Sequence, residues 1–253
     1  MEEFNRDNYN PYGSEPFDPP PPEPLPAHFK TSRLTYITLA FLMIIWPVAS
    51  IVMVGDPKEI LKTISISPIL LVYLPTIITQ WFLFLLIYFT AYREETGLRG
   101  IGFKRIRLMD FLYAIAFLLV SNLLLTLLSL FLTSVGLPIP GEIQFLLPRT
   151  GIERLFWVVL SLTAGICEEV AFRGYLITRM RLLGKNRNWI LPVFVASIIF
   201  GSGHSYQGLG GFIMMSVYGA FFAVLFIRTG SLWPCIIAHF FQDFSALFYP
   251  FQP

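Results

Sequence analysis

Apolar residues run along this chain in long blocks separated by short polar breaks, with neither the period of an exposed helix nor that of a half-buried strand. Four blocks, 34–54, 69–92, 111–135 and 156–180, reach the length of about 20 residues that a helix needs to cross a bilayer. Three later blocks, 190–204, 212–227 and 232–248, are shorter. In hydrocarbon a peptide group has only its own chain to pair with, so blocks of this kind fold as helices. The pattern predicts an all-α, polytopic transmembrane bundle of about seven to eight spans. Gly208, Gly210 and Gly211 mark a turn between two of the later spans. No repeat of 20 to 50 residues is visible.

Composition supports lipid as the main solvent. The 253 residues are 55% hydrophobic and only 13% charged, include 25 Phe, and have a mean hydropathy of +0.65; soluble domains carry about 25% charged residues. A net charge of +2, spread between apolar blocks, excludes a nucleic-acid footprint. Cys167 and Cys235 both sit inside apolar blocks and read as small packing residues, not as a disulfide framework.

Residues 1–33 are polar, with the run Pro19 to Pro22 followed by Glu23, Pro24, Leu25 and Pro26, and without the basic and apolar regions of a signal peptide. They are expected to form a disordered, Pro-rich cytoplasmic tail ahead of a transmembrane domain spanning 34–253. Arg93, Arg99, Lys104, Arg105 and Arg107 crowd one break, and Arg179, Arg181, Lys185 and Arg187 another. Basic residues are retained on the cytoplasmic side, so both breaks, Lys30 with Arg33, and Arg228 are expected there. Glu142, Arg149, Glu153 and Arg154 then face the opposite side.

Against this background the charges inside the blocks stand out, because each costs at least about 2.5 to 3.5 kcal/mol to insert. Glu169 and Arg173 are four apart with the acid first, the favourable order for a pair on one helical face. An internal ion pair explains them as well as a supporting role in a site does. Glu168 points about 100° away around the helix and has no obvious partner on its own segment. Of the three histidines, His28 lies in the tail, while His204 and His239 lie in separate late blocks, where helix-to-helix hydrogen bonding is the competing reading.

At about 1.5 Å per residue, Glu168 lies roughly 16 Å, His204 roughly 22 Å, His239 roughly 12 Å and Asp243 roughly 18 Å from the cytoplasmic ends of their segments. All lie near the middle of a core about 30 Å thick, so the four can share one cavity. A carboxylate and two imidazoles around a pocket suit hydrolysis by an activated water. Glu168 would take the water's proton, His204 would orient the water, and His239 with Asp243 would face the developing oxyanion. Arg173 would hold Glu169. Ser202 lacks a nucleophile-elbow pattern and the Gly208 to Gly211 stretch lacks the lysine of a phosphate loop.

These residues fall in three short motifs. Glu168, Glu169, Val170, Ala171, Phe172, Arg173 resembles the EExxxR motif of the CAAX-protease and bacteriocin-processing (CPBP, or Abi) family. Phe200 to His204 resembles its FxxxH motif, and His239 to Asp243 its HxxxN or HxxxD motif, with Arg228 to Pro234 similar to the usual lead-in. Each pattern alone is weak; three in order on three late segments are specific. The resemblance covers about residues 109–248. It implies an intramembrane endopeptidase acting on a membrane-associated peptide or protein, CAAX-like or leader-bearing, in a multi-pass membrane protein of bacterial plasma-membrane type.

Prenyl-protein proteases of the family are similar except for Asn at the place of Asp243. An ionised Asp cannot donate to an oxyanion, so Asp243 must be protonated, orient His239 or bind a cation. Two mechanisms therefore stay open: a metal-free glutamate mechanism needing no cofactor, and a metalloprotease in which Glu168, His204, His239 and Asp243 hold a zinc-like ion. Two other function classes compete. One is a non-catalytic bacteriocin-immunity or membrane-protein assembly factor; the other is an ion- or proton-coupled transporter, against which stands the lack of inverted repeats.

Overall fold

The computed structural model describes residues 30–52, 68–138, 146–184 and 188–248. The Pro-rich run, His28, Glu142, Lys185 and Arg187 lie outside the described residues. Those described form helices joined by short turns, with no strand among them. Seven principal helices follow in order: α1 (Arg33–Ile51), α2 (Ile69–Arg93), α3 (Leu108–Ser134), α4 (Gly151–Leu183), α5 (Ile190–Ser202), α6 (Gly208–Thr229) and α7 (Trp233–Phe244).

Among the described residues five helical segments are long and apolar enough to cross a membrane: α1 to α4, and α6 together with the turn Ser205–Gln207 ahead of it. The expected number of seven to eight spans is not confirmed by these residues. The difference lies in α5 and α7, which have 13 and 12 residues and so reach roughly 20 Å and 18 Å, short of a core about 30 Å thick. The protein is an integral membrane protein in which two short helices pack among five long ones. The many large apolar side chains left exposed on α1 to α3, such as Phe82, Phe89, Leu119 and Phe131, suit a lipid-facing surface.

Helix starts follow local chemistry. Thr150 caps α4 by accepting from the Glu153 amide, and the Glu153 carboxylate accepts from the amides of Arg149 and Thr150 at 2.7 and 3.0 Å. Glu153 is therefore used at a helix cap and not as a free loop charge. Asp110 does the same for α3, accepting from the Arg107 amide at 2.8 Å. In α1 and α2 a π-helical turn, Phe41–Ile45 or Ile69–Tyr73, precedes Pro47 or Pro75. A proline ring displaces the carbonyl four residues back and cannot bond it, and those carbonyls, of Met43 and Leu71, fall within the widened turns.

Helix α4 is the centre of the bundle. It packs against α2, α5 and α7, while α5 and α6 form an antiparallel hairpin and α7 also lies against α3. The α5–α6 approach is close because Gly201 has no side chain: a Cβ there would lie 2.8 Å from the Phe212 carbonyl oxygen. Gly208 begins α6 at φ +71°, but Gly210 and Gly211 are helical and buried, so only the first of the three is a turn residue.

Helices α2 and α4 run parallel in register. Tyr73 meets Trp157 edge-on at 5.6 Å, Trp81 donates to the Thr163 hydroxyl at 3.2 Å, and at the far end Glu94 accepts from Arg179 at 2.9 Å and from the Tyr175 hydroxyl at 2.9 Å. Glu94 and Arg179 are fully buried, and Arg179 also reaches the Gly100 carbonyl and the Thr96 hydroxyl. Arg179, counted above among loop charges, is thus an interior clamp on the 94–107 segment. Breaking a buried pair strands the partner charge at a cost of about 3–5 kcal/mol. Arg179→Met is expected to lose that much stability in chemical unfolding in detergent, whereas Arg228→Met, at an exposed position, stays near wild type.

Candidate active site

Residues Glu169 to Ile177 of α4 form a π-helical stretch, wider than an α-helical turn and a recurrent feature of functional sites. Every side chain in it is buried, so its first polar group, Glu169, faces protein. Its carboxylate Oε1 accepts from Arg173 Nη1 at 2.9 Å and from His239 Nδ1 at 2.7 Å. The ion pair expected from the spacing is present, and the same oxygen also fixes the imidazole on α7. Arg173 is held on three further sides: its Nη2 donates to the Gly219 carbonyl at 3.3 Å, and its guanidinium lies 4.4 Å from the Phe200 ring and 4.8 Å from the Phe222 ring.

Because the carboxylate only accepts, His239 Nδ1 carries the proton of that bond, and Nε2 is turned to the other side of the ring. There it lies 3.8 Å from Glu168 Oε2 and 3.6 Å from Asp243 Oδ2. The three residues expected to converge from α4 and α7 do so. The Glu168 side chain is 16% exposed and that of Asp243 36%, so this is the open side of the cluster.

His204 comes from a different position than expected. It lies beyond the last residue of α5, in the turn leading to Ser205–Gln207, with its amide donating to the Gly201 carbonyl at 2.9 Å. The short length of α5 places this turn inside the bundle. His204 Nδ1 is 3.2 Å from the Phe200 carbonyl; a carbonyl accepts only, so Nδ1 donates and Nε2 is the free nitrogen. The Phe200 ring stands between the two imidazoles, 5.2 Å from His204 and 6.3 Å from His239, and also carries Arg173. The second motif is therefore joined to the first and third through one aromatic ring. Ser202 donates to the Ile199 carbonyl at 2.6 Å, a backbone contact of its own helix.

Two contributors escaped the sequence reading. Gln80 of α2 donates its side-chain N–H to Glu168 Oε1 at 2.6 Å, supplying the partner that α4 lacks. It is the only amide side chain in 69–92, which was a usable signal. Trp157 of α4 donates to the Asp243 backbone carbonyl at 2.9 Å and steadies the end of α7; an indole in an apolar block carries no such signal. Both cysteines are buried and free, as packing residues.

Among the described residues no three of His, Cys, Asp and Glu are arranged so that they could hold a metal ion. The donor set Glu168, His204, His239 and Asp243, as placed, does not fit one.

Arg173→Met would leave the buried Glu169 carboxylate without its cation, at a cost of about 3–5 kcal/mol. Arg173→Met with Glu169→Gln is expected to cost clearly less than the sum of the two single changes in detergent unfolding, since both remove one interaction.

Residues 150–245 match the family model described as Type II CAAX prenyl endopeptidase Rce1-like, and that stretch holds all three motifs. Residues 109–149, which the resemblance also took in, lie outside it. No curated protein and no solved structure matches the chain. The segment that builds the site, from the cap of α4 to the end of α7, is similar to the Rce1-like family of type II CAAX prenyl endopeptidases, over less than half of the chain.

Proposed function

We propose that this protein is an intramembrane endopeptidase of the glutamate type, hydrolysing a peptide bond near the anchored end of a membrane-associated substrate. A prenylated CAAX sequence is the substrate that the family description suggests. The observation that carries the reading is the open side of His239, where Nε2 faces Glu168 Oε2 at 3.8 Å and Asp243 Oδ2 at 3.6 Å. Both separations exceed a direct hydrogen bond and suit a water between the groups.

Glu168 takes a proton from that water as its oxygen attacks the scissile carbonyl carbon. His204, with Nε2 free, accepts the second hydrogen and aims the water. His239, as the imidazolium protonated on both ring nitrogens, donates from Nε2 to the oxygen that becomes the oxyanion, its ring held by Glu169 through Nδ1. Glu168 then returns its proton to the departing amine nitrogen as the C–N bond breaks. Asp243 acts on His239 and not on the oxyanion, which a carboxylate would repel. The retention of basic residues on the cytoplasmic side supports that side for the loop carrying Arg93 to Arg107 and for Lys30 with Arg33.

With a prenylated CAAX peptide and protein in detergent or lipid nanodiscs, Glu168→Gln is expected to lower kcat at least about 100-fold, the scale of a lost general base. Wild-type turnover by a folded Glu168→Gln protein would overturn the reading. Asp243→Asn, which installs the residue of the prenyl-protein proteases, is expected to keep activity within about tenfold, because an amide can take the place beside His239 Nε2. Activity is expected to survive chelator treatment, with loss on chelation and recovery on adding zinc as the contrary result.

A further inference from the structure

We propose that Gln80 is a positioning residue of this site: its amide N–H, brought in by α2, fixes Glu168 with Oε1 taken up and Oε2 left toward His239. The inference rests on the role of Glu168 as base and deepens it, since it assigns to the N-terminal half of the bundle, which lies outside the family match, a part in the chemistry.

Four observations carry it. The Gln80 to Glu168 hydrogen bond, at 2.6 Å, is the one hydrogen bond that Glu168 receives among the described residues. Glu169 next door has two partners on one oxygen. Without Gln80 the Glu168 carboxylate could turn about its side-chain bonds, and a base works only when aimed at the proton it removes.

Second, the bond divides the carboxylate. Oε1 is engaged by Gln80 and Oε2 is the atom that faces His239 Nε2. An N–H donor fixes that choice, whereas an apolar residue of the same size would not.

Third, holding α2 against α4 does not depend on Gln80. The Trp81 to Thr163 bond, the Tyr73 to Trp157 ring contact and the Glu94, Arg179 and Tyr175 cluster already set that register. Fourth, Gln80 is 3% exposed and its carboxamide oxygen has no partner. A buried acceptor left unpaired is unfavourable, so a residue serving packing alone would be better apolar at this place.

The test uses the full chain in nanodiscs with a prenylated CAAX peptide, comparing wild type, Gln80→Met, Gln80→His and Glu168→Gln. Gln80→Met keeps the volume and removes the donor; it is expected to lower kcat about 10- to 100-fold, the scale of a misplaced reacting group, with KM within about twofold. Gln80→His, which retains an N–H, is expected to recover part of the loss. An infrared carboxylate band that disappears in Glu168→Gln is expected to shift in Gln80→Met, a readout that needs no substrate and no turnover.

Wild-type kcat together with an unshifted band in Gln80→Met, while Glu168→Gln is inactive, would overturn the positioning role and leave the endopeptidase reading standing. A loss confined to KM, or Gln80→His no better than Gln80→Met, would also overturn it. An active Glu168→Gln protein would remove both readings together. If Gln80→Met does not fold, Gln80→Leu and the infrared band of Gln80→His decide in the same way.

Discussion

One carboxylate oxygen organises the site. Glu169 Oε1 receives Arg173 at 2.9 Å and His239 at 2.7 Å, and so ties the central helix to the last one through a charge that would be prohibitive alone in hydrocarbon. The arrangement is stable only as a whole. Arg173 neutralises Glu169 and is itself spread over two phenyl rings and a backbone carbonyl. His239 gains a fixed ring orientation, with the nitrogen that faces Glu168 and Asp243 presented to the open side. Removing any member leaves a buried charge or a free-turning ring, which is why the cluster reads as a unit and not as a set of contacts.

The short helices have a related purpose. Polar backbone at membrane depth is tolerated where protein surrounds it or where it borders a water-filled space. Helix α5 ends after 13 residues, and the turn that follows delivers His204 from the backbone side of Phe200. Helix α7, with 12 residues, ends next to Asp243. A pair of full spans would have carried both termini past the site to the far surface. The widened stretch Glu169–Ile177 lies opposite them, so irregular backbone and ionisable side chains are concentrated in one region of an otherwise regular bundle.

The same economy separates the two buried ion pairs. Glu94 with Arg179 is directed at protein groups of one loop and one helix end, and both side chains are fully buried. Glu169 with Arg173 adjoins the partly exposed Glu168 and Asp243. Two pairs of like composition therefore differ in consequence because of what borders them.

Much was determined by the sequence alone. Long charge-free blocks specify membrane helices because backbone groups in lipid have no other partner, and the i, i+4 spacing of Glu169 and Arg173 specifies their pair because neighbours on one helix are set by the helix itself. The three motifs carry their own order along the chain. What tertiary structure decided are the relations between segments. That Arg179 is an interior clamp, that His204 sits beyond its helix, that α5 and α7 fall short of full spans, and that Gln80 reaches Glu168 all depend on how distant helices dock. Apolar blocks look alike in sequence, and hydrophobic periodicity does not say which block meets which or at what height; only the packing of side chains across helices fixes that, and with it the partner of Glu168.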